Sequence, residues 1–318
     1  MKVLYCTRNI SDYGEDTIFD GLCRVLGSQN VLEYPQKDSL HGKPSKAHGN
    51  YPCMFDYPIT HTEAEITAML ADGAFDMLLV CCGATYDFRM GGRGTRHDKF
   101  YKLLEARSQN IPTYLIDQGD LEDINTELWD ELHARLYFKR EYKGRHQRNK
   151  RIIPLSMCYS EKYIPTSIDG ERIIPLFWAG GQNSYRQDCL KVALEFDRHI
   201  YGANMAQPVY AAQLLQTRIG LSLKGFGWDT VRYYEVPAHG ALLLAQRPKI
   251  FIANPFIDGE TAVLFDTPEQ LRGLLHFLIR HPDYVDKVRL QGHAWLKKYH
   301  TSTMRATQLL ERIAADGR

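Results

Sequence analysis

The sequence predicts an α/β protein of two Rossmann-like, doubly wound domains facing across a cleft. Three observations lead there. Short apolar runs alternate with helix-length amphipathic segments, the pattern of a parallel sheet covered by helices. That pattern runs to about residue 160, breaks at the polar, proline-containing stretch Tyr163-Ile-Pro-Thr-Ser167, and restarts at Ile173. A chain of 318 residues also suits two ordinary domains better than one. The expected division is 1–165 and 166–318, with the last helix crossing back to the first domain.

The elements follow in order. Lys2–Cys6 reads as a strand, Thr17–Leu26 as a helix with Asp16 as its N-cap, and Asn30–Tyr34 as a strand ended by Pro35. Residues 36–60 are rich in Gly, Pro, His and Lys and read as an irregular excursion. Thr62–Ala71 is helical by spacing, capped by Thr60 or Thr62. Phe75–Cys82 is a buried strand, Lys99–Gln109 a helix, and Thr113–Ile116 a strand. Ala134–Lys139 and Arg151–Leu155 complete this half. In the second half Ile173–Trp178, Ile200–Tyr201, Ile219–Leu223 and Ala241–Ala245 read as strands. Ser184–Phe196, Val209–Gln216, Thr230–Gly240 and Pro268–Arg280, the last capped by Thr267, read as helices. Helices over 282–299 and 301–315 close the chain.

Composition narrows the function classes. A net charge of +1 argues against a surface built throughout to hold nucleic acid. The seven cysteines form no CxxC and no zinc-spaced cluster, which fits buried reduced thiols in a cytoplasmic protein. MKVLYCTRNI turns polar after six residues, so it reads as a strand and not as a signal peptide. No apolar run approaches the roughly 18–20 residues of a membrane helix.

The densest chemical signal lies at 219–240. An apolar strand runs into Gly225-Phe-Gly227, and Asp229-Thr230 follows at an expected helix start. Loop amides and a helix N-terminus make an anion site suited to a pyrophosphate. Arg232 and Glu235 stand three apart on one helical face, the first able to neutralise phosphate, the second able to accept hydrogen bonds from sugar or ribose hydroxyls. A plain turn with a surface ion pair fits the same spacing.

Asp229-Thr-Val-Arg-Tyr-Tyr-Glu-Val-Pro-Ala-His-Gly resembles the donor-binding helix of bacterial glycosyltransferases related to the spore-maturation protein B family and to group 1 glycosyltransferases. Further similar segments follow in order: Asp258-Gly-Glu-Thr-Ala-Val-Leu-Phe, Thr267-Pro-Glu-Gln-Leu and His300-Thr-Ser-Thr-Met-Arg. Tyr137-Phe-Lys-Arg-Glu-Tyr, Ile153-Pro-Leu-Ser and Phe177-Trp-Ala-Gly-Gly with Tyr185-Arg186 precede them. The resemblance covers about 135–312. It implies a GT-B fold with a nucleotide-sugar, most naturally a UDP-sugar, held in the cleft by the second domain. Gly180, Gly181 and Arg186 would then lie near the diphosphate, and Gly225, Gly227, Asp229, Thr230 and Arg232 around the donor. Glu235 would contact its sugar or ribose. Many retaining GT-B enzymes carry a second glutamate eight residues later; here that position is Leu243, with Glu260 a possible substitute.

No DxD pair is present, since Asp117 and Asp120 are separated by two residues. The expectation is therefore a metal-independent transferase with no cofactor beyond its nucleotide-sugar co-substrate. Arg186, Lys224 and Arg232 are available to offset the leaving diphosphate. On the acceptor side, Asp117 and Asp120 follow a buried strand at the edge where such sheets bind ligands. Either can act as general base or cap a helix near residue 121. Asp12, in the loop after the first strand, is the freer base candidate there. Gly83–Arg96, with Tyr86, Asp87 and Arg89, reads as a cleft loop, and His41, His97 and His239 as possible ligands to sugar hydroxyls. The basic run Arg135–Arg151 suits a polyanionic acceptor such as DNA, or is simply a solvated connector. The acceptor thus ranges over a glycan, a protein, a metabolite and a hydroxymethylated DNA base. A catalytically degenerate nucleotide-sugar-binding protein and a GT-B-fold epimerase are the competing readings.

Overall fold

A computed structural model describes residues 1–43, 54–84, 96–181, 183–202 and 205–316. In the first domain the strands are β1 (Val3–Cys6), β2 (Val31–Tyr34), β3 (Met77–Cys81), β4 (Thr113–Asp117), β5 (Leu136–Lys139) and β6 (Ile152–Pro154). They form one parallel sheet in the order β2-β1-β3-β4-β5-β6. Its helices are α1 (Tyr13–Leu26), α2 (Glu63–Ala71), α3 (Arg96–Ser108) and α4 (Thr126–Glu131).

The second domain has β7 (Ile174–Ala179), β8 (Ile200–Tyr201), β9 (Thr217–Ser222), β10 (Leu242–Gln246) and β11 (Val263–Phe265). These form a parallel sheet in the order β11-β10-β9-β7-β8. Its helices are α5 (Gln187–Leu194), α6 (Gln207–Leu215), α7 (Arg232–Ala238), α8 (Pro268–Arg280) and α9 (Pro282–Tyr299), and α10 (Ser302–Asp316) ends the chain. Period-two alternation gives this sheet two dry faces. Leu176, Trp178, Ile219, Leu221, Leu242 and Leu244 pack towards α5 and α8. Phe177, Ala179, Leu243 and Ala245 pack instead against Leu214 of α6 and Tyr233, Tyr234 and Val236 of α7.

Each strand order reverses once, and the reversals position the site. From β1 the chain moves to β2 on one side and later to β3 on the other; from β7 it moves to β8 and then to β9. Loops leaving the carboxyl ends of such strand pairs diverge and leave a crevice, which is where open α/β sheets bind ligands. The β7 loop holds Gly180 and Gly181, and the β9 loop holds residues 223–231.

Helix α10 returns to the first domain, where Ala306, Leu309 and Ile313 join the core of that sheet with Ile18, Phe19 and Leu22 of α1. The crossing is tight because Gly21 has no side chain: a Cβ there would lie 2.0 Å from the Ser302 carbonyl oxygen. Next to it, buried Asp20 accepts hydrogen bonds from Ser160 Oγ at 2.7 Å, Ser302 Oγ at 2.5 Å and Tyr57 Oη at 2.6 Å. One carboxylate therefore ties α1, the interdomain connection and α10 together.

Several local expectations change. Asp12, and not Asp16, caps α1 by accepting the Glu15 amide at 3.0 Å; Asp16 is buried against Lys37. Thr62 caps α2 in a reciprocal box with Glu65. The helix after β4 begins at Thr126 and is capped by Asn125, so neither Asp117 nor Asp120 caps it. Helix α7 begins at Arg232, leaving Asp229 and Thr230 in the loop before it. Strand β11 is three residues long and pairs with β10, a pairing the alternation had not marked. Among the described residues no helix is long and apolar enough to cross a membrane.

Candidate active site

A cleft of about 370 Å³ lies between the two carboxyl edges. The first domain lines it with Ser11, Asp12, Tyr13, Asp120 and Arg140. The second contributes Gly181, Asn183, Arg186, Thr230, Val231, Arg232 and the 225–229 loop.

On the second-domain side two guanidinium groups converge. Arg186 and Arg232 each lie 5.7 Å from the centroid of the Trp178 ring. Backbone carbonyls hold them: Arg186 donates to Lys224 O at 2.9 Å and to Gly181 O, and Arg232 donates to Ala179 O. Among the described residues neither forms an ion pair. Arg186 is 7% exposed, and burial followed by the neighbouring Arg232 charge pushes its pKa down to about 10. Two like charges held together without a carboxylate between them are an anion site by construction. Gly180 makes the arrangement possible, since a Cβ there would stand 2.3 Å from Arg232 Nη2. Gly225 likewise leaves room for Arg186, whose Nη2 would be 3.1 Å from a Cβ at that position.

The β9 loop folds back on itself through a Gly225 amide to Gly227 carbonyl bond of 3.0 Å. Beyond it Asp229 is buried. Its carboxylate accepts the Met157 amide at 2.6 Å and Tyr234 Oη at 2.8 Å, while its own amide donates to Glu141 at 2.9 Å. Burial raises the Asp229 pKa and the Arg140 charge opposes that rise. Thr230 Oγ1 lies 3.2 Å from Ser222 Oγ.

Across the cleft, Asp120 pairs with Arg140 and Asp12 with Arg8. Beneath Asp12, buried Glu15 accepts from Thr7 Oγ1 at 2.9 Å. Its carboxyl is pushed up to about 7 by burial and by the Asp12 charge, against the pull of Arg8 and Lys37.

Residues 177–311 match the family model described as glycosyl transferase-like. The whole chain is also similar to solved glycosyltransferase structures. An alpha-glucosyltransferase in complex with UDP-glucose and DNA aligns at a TM-score of 0.63 and 10% identity, covering 98% of each chain. Anabaena HepE in complex with UDP-glucose aligns at 0.61 and 10%, covering 99% of this chain and 100% of that one. A glycosyltransferase from Rickettsia africae aligns at 0.61 and 9%, covering 100% and 98%. No curated protein matches at the sequence level. Residues 177–311 are thus similar to a glycosyl transferase-like domain, and the chain as a whole shares the GT-B fold of these solved structures.

Within this GT-B cleft stand Asp12, Asp120, Gly181, Arg186, Gly225, Gly227, Asp229, Thr230 and Arg232 of the residues singled out from sequence. Four others sit elsewhere. Asp117 lies under the cleft with its carboxylate committed to Tyr137 Oη at 2.6 Å, Lys139 Nζ at 2.7 Å and the Gly119 amide at 2.9 Å. With three of its roughly four acceptor sites taken by the scaffold, Asp117 does not line the cleft. Glu235 is 4% exposed and accepts from Tyr210 Oη at 3.0 Å. Gly180 is buried behind Arg232. Lys224 points away, with Nζ 4.6 Å and 4.8 Å from the Tyr185 and Trp228 ring centroids.

The histidines join the cores: His41 bridges Glu33 and the Tyr57 carbonyl, and His239 is buried against the Glu235 carbonyl. Leu243 is core in β10, and Glu260 belongs to the turn before β11. Residues 85–95, with Tyr86, Asp87 and Arg89, and the side chain of His97 lie outside the described residues.

The basic run Arg135–Arg151 is largely engaged. Lys139 pairs with Asp117, Arg140 with Asp120, Lys143 with Glu122, and Arg145 with Asp123. Arg151 donates to the Ala134 and Arg135 carbonyls over the Trp129 ring. Trp178, Arg140 and Glu141 were not singled out from sequence. Arg140 and Glu141 were visible as charges directly following a buried strand at the ligand-binding edge; nothing local marks Trp178 as a platform. Among the described residues no group of three or more His, Cys, Asp or Glu could hold a metal ion.

Proposed function

We propose that the protein transfers a sugar from a UDP-sugar to a hydroxyl acceptor without a metal ion. The observation that carries this reading is the pair Arg186 and Arg232, in no ion pair among the described residues and held over Trp178 at the β7/β9 reversal. The diphosphate lies against these guanidiniums and the backbone of Gly181 and the 225–227 turn. As the glycosidic bond breaks, negative charge grows on the diphosphate, and two fixed cations in a partly dry cleft stabilise it where a metal otherwise would. UDP is favoured as the nucleotide because both the alpha-glucosyltransferase and HepE are in complex with UDP-glucose.

On the opposite wall, Asp12 and Asp120 line the cleft, which supports assigning them to orient an acceptor hydroxyl. Four of the eight cations in 135–151 pair with carboxylates, which weakens that segment as a docking strip for a polyanion.

The test is a thermal-shift panel of UDP-, GDP-, TDP- and CMP-sugars with and without EDTA. A UDP-sugar at about 100 times its dissociation constant should add roughly 2.7 kcal/mol, seen as a melting shift of several degrees that EDTA leaves unchanged. A panel without any shift, or a shift that vanishes in EDTA, would count against the proposal.

A further inference from the structure

Glu141 belongs to the first domain, yet its carboxylate is directed at the donor loop of the second. It follows β5 and is 1% exposed. Across 88 positions of sequence it accepts the Asp229 amide at 2.9 Å, and the Trp228 amide is directed at the same carboxyl. Gly227 presses against it so closely that a Cβ would lie 2.5 Å from Glu141 Oε1 and 2.8 Å from Arg140 Nη2. Arg140 Nε stands 3.7 Å from Glu141 Oε1 and the same side chain pairs with Asp120. The loop so held carries the Lys224 carbonyl that receives Arg186 at 2.9 Å. A buried carboxylate whose hydrogen-bond partners are amides of another domain fixes a backbone conformation, in the way an ordinary surface ion pair does not.

We propose that Glu141 is a positioning residue through which the first domain sets the shape of the diphosphate-binding loop. Donor affinity then depends on the two domains being closed on each other. The proposal rests on reading the cleft as the UDP-sugar site. It assigns Glu141 no contact with substrate: the carboxylate acts through the amides of Trp228 and Asp229, and Gly227 lets the loop approach.

The experiment is a UDP titration of the full chain as wild type, Glu141→Gln, Glu141→Ala, Gly227→Ala and the double alanine variant, with melting temperatures measured in parallel. Both single alanine variants are expected to weaken UDP at least about ten-fold. The double variant should be no weaker than the worse single one, because both break the same contact. Glu141→Gln, which keeps one acceptor oxygen and the side-chain volume, should fall between wild type and Glu141→Ala. If Glu141→Ala does not fold, Glu141→Gln decides, and UDP affinity equal to wild type in that variant would overturn the proposal.

A purely stabilising role predicts lower melting temperatures with UDP affinity within two-fold of wild type; that result, or additive losses in the double variant, would overturn the proposal. A wild type that does not bind UDP would overturn the donor-site reading and this proposal with it. A wild type that binds while the alanine variants bind equally well overturns this proposal alone.

Discussion

Replacing Arg186 or Arg232 by alanine should lower kcat/KM for the UDP-sugar by about 100-fold while leaving the unliganded protein folded. The magnitude follows from a charge-assisted hydrogen bond to an anion, worth about 1.5–3 kcal/mol, or roughly 10- to 150-fold. The insensitivity of the fold follows from the geometry. Arg186 is a buried cation in no ion pair among the described residues, its pKa depressed by burial and by Arg232 against a weaker pull from Asp120. A base whose pKa is lowered in the folded state costs stability wherever it stays charged, which covers every pH below about 10. Removing the guanidinium removes that cost and offsets the loss of its bonds to Gly181 O and Lys224 O. Steady-state kinetics with a melting curve on each variant checks the pairing of effects. A drop in melting temperature that accounts for the lost activity would recast both arginines as scaffold.

The largest stability effect is expected at a position far from the cleft. Gly21→Ala puts a methyl group 2.0 Å from the Ser302 carbonyl oxygen and 2.9 Å from Ala306 Cβ, where α1 crosses α10. Overpacking of this kind costs about 1–3 kcal/mol, and two backbones that must separate place the variant at the upper end. The same shift strains the Asp20 bonds to Ser160 and Ser302. A fall in melting temperature on the order of 5 °C is the expected readout. Gly273→Ala in α8 is the opposite case, with nothing within 4 Å of its Cβ. It should gain about 0.5–1 kcal/mol from helix propensity alone. Equal effects of the two substitutions would show that the α1–α10 crossing is looser than described.

These cases also show which parts of the molecule the sequence disclosed. The second-domain wall of the cleft was readable because its parts are local: Gly180, Gly181 and Arg186 follow one strand, and Gly225 to Arg232 follow another. Gly180 and Gly225 stand where a Cβ would meet Arg232 and Arg186, so composition and chemistry pointed the same way. Asp229 was misread as opening a helix because its determining partners, the Met157 amide and Glu141, are 72 and 88 positions away. Asp117 looked catalytic from its place at a strand end, but Tyr137 and Lys139 on the adjacent strand take up its carboxylate. Arg135–Arg151 read as either a polyanion strip or a solvated connector, and only the tertiary structure brings Asp117, Asp120, Glu122 and Asp123 beside it. Strand β11 was too short to alternate visibly, and its pairing with β10 supplies what its own three residues do not signal.

Arg186 and Arg232 are expected to read a diphosphate without help from a metal. Titration calorimetry of UDP and UMP into the wild-type chain in EDTA tests it most directly. UDP should bind at least about ten-fold more tightly than UMP, because the second phosphate is the group the two guanidiniums hold, and EDTA should change neither value. Equal affinities for UDP and UMP, or UDP binding that appears only when a divalent ion is added back, would contradict it.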